Sequence, residues 1–102
     1  MLEVDIALQP DTDLPNLESL VETSCAAEDL HITLKGTLAK YPGCTHWHFK
    51  KGRERGTLEL TWWPAERRLW FNVSSSRAGA WLDEAIARLR RVWERERFIE
   101  KG

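Results

Sequence analysis

Three segments between residues 46 and 73 alternate strictly between apolar and polar side chains, and that alternation restricts this part of the chain to extended strands. They run His46-Trp47-His48-Phe49-Lys50, Thr57-Leu58-Glu59-Leu60-Thr61-Trp62-Trp63 and Arg68-Leu69-Trp70-Phe71-Asn72-Val73. Successive side chains of a strand point to opposite faces, so one face collects Trp47, Phe49, Leu58, Leu60, Trp62, Leu69, Phe71 and Val73. The other collects His46, His48, Lys50, Glu59, Thr61, Trp63, Arg68, Trp70 and Asn72. The first set is a core layer. The second is unusual, because a face turned only to water carries Lys, Glu and Thr, whereas this one adds two histidines and two large aromatics. It either binds something or lies beneath another element.

The turn sequences set a register. Lys51 to Gly56 joins the first two segments, so pairing Lys50 with Thr57 puts His48 opposite Glu59 and His46 opposite Thr61. Pro64 to Arg67 joins the next two, and pairing Trp63 with Arg68 puts Thr61 opposite Trp70 and Glu59 opposite Asn72. The mixed face then has three rows: His48/Glu59/Asn72, His46/Thr61/Trp70 and Cys44/Trp63/Arg68.

Around this unit, Leu2, Val4, Ile6 and Leu8 alternate as a first strand ended by Pro10. A helix is expected from about Pro15 to Glu28 or Asp29, with Leu17, Leu20, Val21 and Cys25 on one face. The segment 30–40 fits both periods; the β-branched Ile32, Thr33 and Thr37, with Gly36, favour a strand in which Ile32 and Leu34 share a face. Ser74-Ser75-Ser76 supplies caps for a last helix from about Arg77 to Arg97. There Leu82, Ala85, Ile86, Leu89, Val92 and Trp93 recur at spacings of three and four, early acids and late arginines suiting the helix dipole. The expectation is a single α+β domain spanning residues 1–102. It comprises an antiparallel sheet of four to five strands and two helices, the C-terminal helix packed on the apolar face. The N-terminal helix can lie on either side, and its place decides whether the mixed face is open.

A length of 102 residues supports one core and no second domain. The N-terminus lacks a basic segment followed by an apolar run, and no stretch approaches the roughly 20 apolar residues of a membrane span, so a cytosolic protein is expected. Two cysteines, Cys25 and Cys44, are then expected as free thiols. Residues 1–30 carry eight acids and no Lys or Arg, while all 15 basic residues follow, against the other eight acids, giving parts of −8 and +7. With a total of −1, the favoured reading is that the two parts neutralise each other rather than face an external polyanion.

Four kinds of function fit the mixed face. Cys44, His46 and His48 are spaced by two on one strand with Glu59 across from His48, a donor set that zinc, iron or nickel accepts. The H-x-H pair resembles the paired histidines of the cupin family, without that family's later acid and histidine. Acid/base chemistry would use His48, Glu59 and Arg68, an inventory similar to that of small ribonucleases acting on an antiparallel sheet. No nucleophile elbow, phosphate loop or paired-acid signature accompanies it. Single-stranded nucleic acid is a third class, with Lys50, Lys51, Arg53, Arg55, Arg67 and Arg68 at the loops and Trp63 and Trp70 as stacking planes. Were residues 30–40 helical, the element order would resemble the double-stranded RNA-binding domain, although Ser74-Ser75-Ser76-Arg77 stands where that family has lysines. The fourth is a protein interface, most simply with a second copy, anchored on Trp63, Trp70 and Trp81. The reading preferred from sequence is a self-associating binding module that needs no cofactor. Its surface would comprise Trp63, Trp70, Arg68, Asn72, His46 and His48, and nucleic-acid, metal or acid/base roles are the alternatives.

Overall fold

The alternating segments become the middle of a five-stranded antiparallel sheet in the computed structural model, which describes residues 2–10, 12, 14–73 and 80–100. The strands are β1 (Leu2–Ile6), β2 (His31–Gly36), β3 (Thr45–Lys50), β4 (Leu58–Trp63) and β5 (Arg68–Val73), in the order β1-β5-β4-β3-β2. Helix α1 (Leu17–Ala27) lies between β1 and β2, and α2 (Trp81–Arg95) follows β5. The class is α+β, as the sequence predicts. None of the described helices is long and apolar enough to cross a membrane.

The register read from the turns is the register found. His48 faces Glu59, His46 faces Thr61, Glu59 faces Asn72, Thr61 faces Trp70 and Trp63 faces Arg68. The tight β4–β5 connection is a 3-10 turn, Pro64–Glu66, closed by Arg67 in the left-handed region at φ 49°. Segment 30–40 is a strand as expected, but with an irregularity. Ile32 pairs with Phe49 while Leu34, not Thr33, pairs with His48, so one residue is bulged out between them. The bulge separates Ile32 and Leu34 onto opposite faces, whereas simple alternation predicts one face for both. It also turns Lys35 to the helix side, opposite Trp47.

Both helices claim the apolar face. Leu17, Val21 and Cys25 of α1, and Leu82, Ala85, Ile86, Leu89 and Trp93 of α2, form one cluster with Trp47, Phe49, Leu58, Leu60, Leu69 and Phe71. Trp93 stacks on Phe71 at 5.6 Å, with the planes 4° apart. The start expected for α2 at Arg77, with its serine caps, lies outside the described residues. At the other end α2 stops before Arg97, which takes φ 62° and turns Phe98 and Ile99 back into the core. Ile99 there bridges Leu8, and Gln9 N–H donates to the Phe98 carbonyl.

Helix α1 is tied to the sheet by one carboxylate. Glu22 accepts the Trp47 indole N–H at 2.9 Å and pairs with Lys35 at 2.5 Å. Other acids of the N-terminal part also pair with basic residues beyond it: Glu3 and Asp5 with Arg68, and Glu28 with Arg88.

Neither α1 nor α2 lies on the mixed face, yet half of it is covered. The β2–β3 connection folds Tyr41 over it, edge-on to Trp63 at 5.1 Å and to Trp70 at 4.9 Å. Arg68 lays its guanidinium 4.1 Å from the Trp70 ring centre. Trp70 is consequently 1% exposed, so the expectation that it presents a binding or stacking plane is corrected: it is a core residue of a second, smaller layer. Trp81, also proposed as an interface anchor, is 7% exposed and donates its indole N–H to the Arg55 carbonyl.

Two outcomes test this architecture. Lys35 and the Trp47 N–H hold the Glu22 carboxyl below its ordinary value, so as pH falls the unfolded chain takes up this proton first. The stabilisation is therefore complete above the ordinary glutamate value of about 4.3 and is lost as pH falls through the lower folded value. Glu22→Gln should be less stable than the parent at pH 7, with the difference closing toward pH 3, as measured by urea denaturation. Tyr41→Ala removes two aromatic pairs worth about 0.5–1.5 kcal/mol each. It should lower stability by ~1–3 kcal/mol and raise acrylamide quenching of tryptophan fluorescence, with the far-ultraviolet circular dichroism unchanged.

Candidate metal centre

The uncovered half of the mixed face belongs to β3, the adjacent part of β4 and β2. Two positions apart on β3, His46 and His48 must project to the same side, and the β3–β4 register brings Glu59 beside them. Their side chains converge. His46 Nε2 lies 3.1 Å from His48 Nε2, and Glu59 Oε1 lies 3.5 Å from the first and 3.7 Å from the second. Among the described residues these three form the one group of His, Cys, Asp and Glu side chains close enough to share a metal ion.

The three distances can be compared with coordination chemistry. Zinc sits 2.0–2.2 Å from imidazole nitrogen and carboxylate oxygen, and tetrahedral angles then hold ligand atoms about 3.3–3.5 Å apart. The observed edges of 3.1, 3.5 and 3.7 Å straddle that value. A point about 2 Å from all three atoms exists at the middle of the triangle, the zinc bond length.

Surroundings favour the ligating form of His46. Its Nδ1 lies 2.8 Å from the Thr61 hydroxyl, and both residues are buried. In the tautomer that carries its proton on Nδ1, His46 donates to Thr61 Oγ1 and its Nε2 lone pair faces His48 and Glu59; such outer hydrogen bonds orient metal-bound histidines. Burial, reinforced by the neighbouring His48 and opposed by Glu59, holds the His46 imidazole below its ordinary value, so the neutral ring is favoured. His48 and Glu59 are more open, their side chains 32% and 20% exposed. The cluster has a buried back wall and a solvent-facing front.

Not every residue singled out from the sequence joins this group. Cys44 shares the face but its sulfur accepts the Leu38 N–H at 3.3 Å, and the sulfur is outside the cluster. Arg68 sits two rows away on β5, bound to Glu3 at 2.8 Å and Asp5 at 2.9 Å, so it does not reach His48 or Glu59. Trp63 donates its indole N–H to the Pro42 carbonyl beneath Tyr41. Asn72 stands beside Glu59 in the same row. Besides Arg68, two more of the basic residues proposed for nucleic acid make contacts within the chain, Lys50 to the Gly56 carbonyl and Arg67 to the Gln9 carbonyl.

Residues that frame the site also include some that the sequence does not flag. Thr61 was legible as the His46 partner in the cross-strand row. Leu34 and Gly36 stand opposite His48 and His46 through the bulged β2 register, which no residue pattern announces. Comparison with known proteins places no family beside this arrangement: no family model, no curated protein and no solved structure matches the chain.

Proposed function

We propose that this chain is a small cytosolic binding module whose mixed sheet face holds one divalent transition metal, zinc above all, through His46, His48 and Glu59. The observation that carries the reading is the 3.1, 3.5 and 3.7 Å triangle of two imidazole nitrogens and one carboxylate oxygen. A proton shared between the two imidazoles can hold this arrangement without a cation; with one in its place, the same spacing is a coordination sphere. Two imidazoles and one carboxylate are the donor types of zinc sites that keep a fourth position for water or substrate, whereas structural sites close it with a fourth protein ligand. The free, buried thiols Cys25 and Cys44 support a reducing compartment.

A second reading concerns self-association and rests on a different observation. Strand β2 forms one edge of the sheet, all six of its residues are exposed, and Ile32 and Leu34 are 42% and 46% exposed. An open, apolar edge of this kind pairs readily with another strand, and a second copy of the chain offers an identical one.

Calorimetric titration of untagged protein with Zn²⁺ should give one site per chain. His48→Ala and Glu59→Gln should abolish stoichiometric binding, and Thr61→Val should weaken it about 10–100-fold through loss of the His46 orienting bond. Absence of binding to the parent, or binding indifferent to His48→Ala, would refute the metal reading. For self-association, light scattering after size-exclusion chromatography should show a dimer that Ile32→Lys converts to monomer; a monomeric parent removes that reading.

A further inference from the structure

A cleft of about 460 Å³ adjoins the metal ligands, walled by Leu34, Gly36, Thr37 and Leu38 on one side and by His46 and His48 on the other. Its size falls within the range of small-molecule sites. The lining is mostly aliphatic, with the Thr37 hydroxyl as a polar exception. Lys35 also borders the cleft, but its ammonium is spent on Glu22 on the helix side of the sheet. An ionic ligand in this cleft therefore has the metal as its counter-charge. A divalent cation bound by two neutral imidazoles and one carboxylate retains one positive charge, which an anionic oxygen donor at the open position would neutralise.

We infer that the cleft is the ligand site of the metal centre, taking a monocarboxylate whose carboxyl group completes the coordination sphere and whose apolar body lies against Leu34, Gly36 and Leu38. The inference rests on the metal reading and adds the ligand class to it. Water shares of about 30 Å³ each put room for roughly fifteen water-sized groups in the cleft, ample for a carboxylate of a few carbons. Gly36 is the residue that makes the room. It stands directly opposite His46 on the same face, and a Cβ built on it meets nothing within 4 Å. A larger side chain there would occupy the cleft without disturbing the fold, and a β-branched one suits the strand.

The test begins with Zn²⁺ alone on the parent and on Gly36→Val, both of which should bind it equally. The zinc-loaded parent is then titrated with acetate, butyrate and hexanoate by calorimetry, and Co²⁺-loaded protein is followed by its visible absorption to report a new ligand on the metal. Affinity should climb about threefold to fourfold for each methylene buried, on the order of 10²-fold from acetate to hexanoate. Gly36→Val should lose that climb while keeping its metal affinity, and metal-free protein should bind none of the three acids. Hexanoate binding no tighter than acetate, binding undiminished in Gly36→Val, or binding without metal would each overturn the ligand assignment while leaving the metal centre standing. Failure of the parent to bind Zn²⁺ in the first step would overturn both.

Discussion

The row Trp47/Leu60/Phe71, running across β3, β4 and β5, draws both helices to one side of the sheet, and everything on the other side depends on that choice. A buried tryptophan removes about 150–250 Å² from water, worth about 4–6 kcal/mol before entropic costs. Trp47 and Trp93 are both fully buried in this layer, and the apolar faces of α1 and α2 have no comparable surface to cover elsewhere. Glu22 makes the arrangement specific, because a single carboxylate answers both the Trp47 indole N–H and the Lys35 ammonium across the α1–sheet boundary. Trp93 supplies a contrast. Among the described residues its buried indole N–H has no hydrogen-bond partner, and the ring is held by shape and stacking.

With the helices committed, the mixed face divides into two parts of different character. Over β5 and the neighbouring end of β4, Tyr41 and Arg68 seal Trp70 into a small aromatic layer, and the arginine is itself neutralised by Glu3 and Asp5 from β1. Over β3 and β2 none of the described residues makes such a cover, and two histidines, one glutamate and an apolar cleft share the space. Gathering titratable groups at a half-open wall is costly for stability alone, since leucines at the same positions would pack without desolvation penalties. Their convergence to 3.1–3.7 Å is the geometric basis of the metal proposal.

Much of this was legible before folding. Two short loops of definite length left one register for β3, β4 and β5, so the pairing of His48 with Glu59 and His46 with Thr61 followed from counting residues. The spacing of Leu82, Ala85, Ile86, Leu89 and Trp93 marked α2 and its buried stripe in the same way. Hidden from the sequence was the fate of Trp70, because its cover comes from Tyr41, a residue in a turn whose path is not periodic. The bulge at Thr33 was hidden too: it reverses the face of every residue beyond it, setting Leu34 and Gly36 beside the histidines and sending Lys35 to Glu22.

Side-chain alternation and turn length are local properties, and they were enough to specify strands, register and the list of residues sharing the mixed face. Whether that face is open is a competition between distant segments for the same surface, and it was resolved by packing: the helices gained more apolar burial on the Trp47 side, and the 37–44 connection took half of what remained. The side-chain atoms of His46, His48 and Glu59 come within 3.1–3.7 Å of one another through their rotamers, which alternation and turn length do not encode.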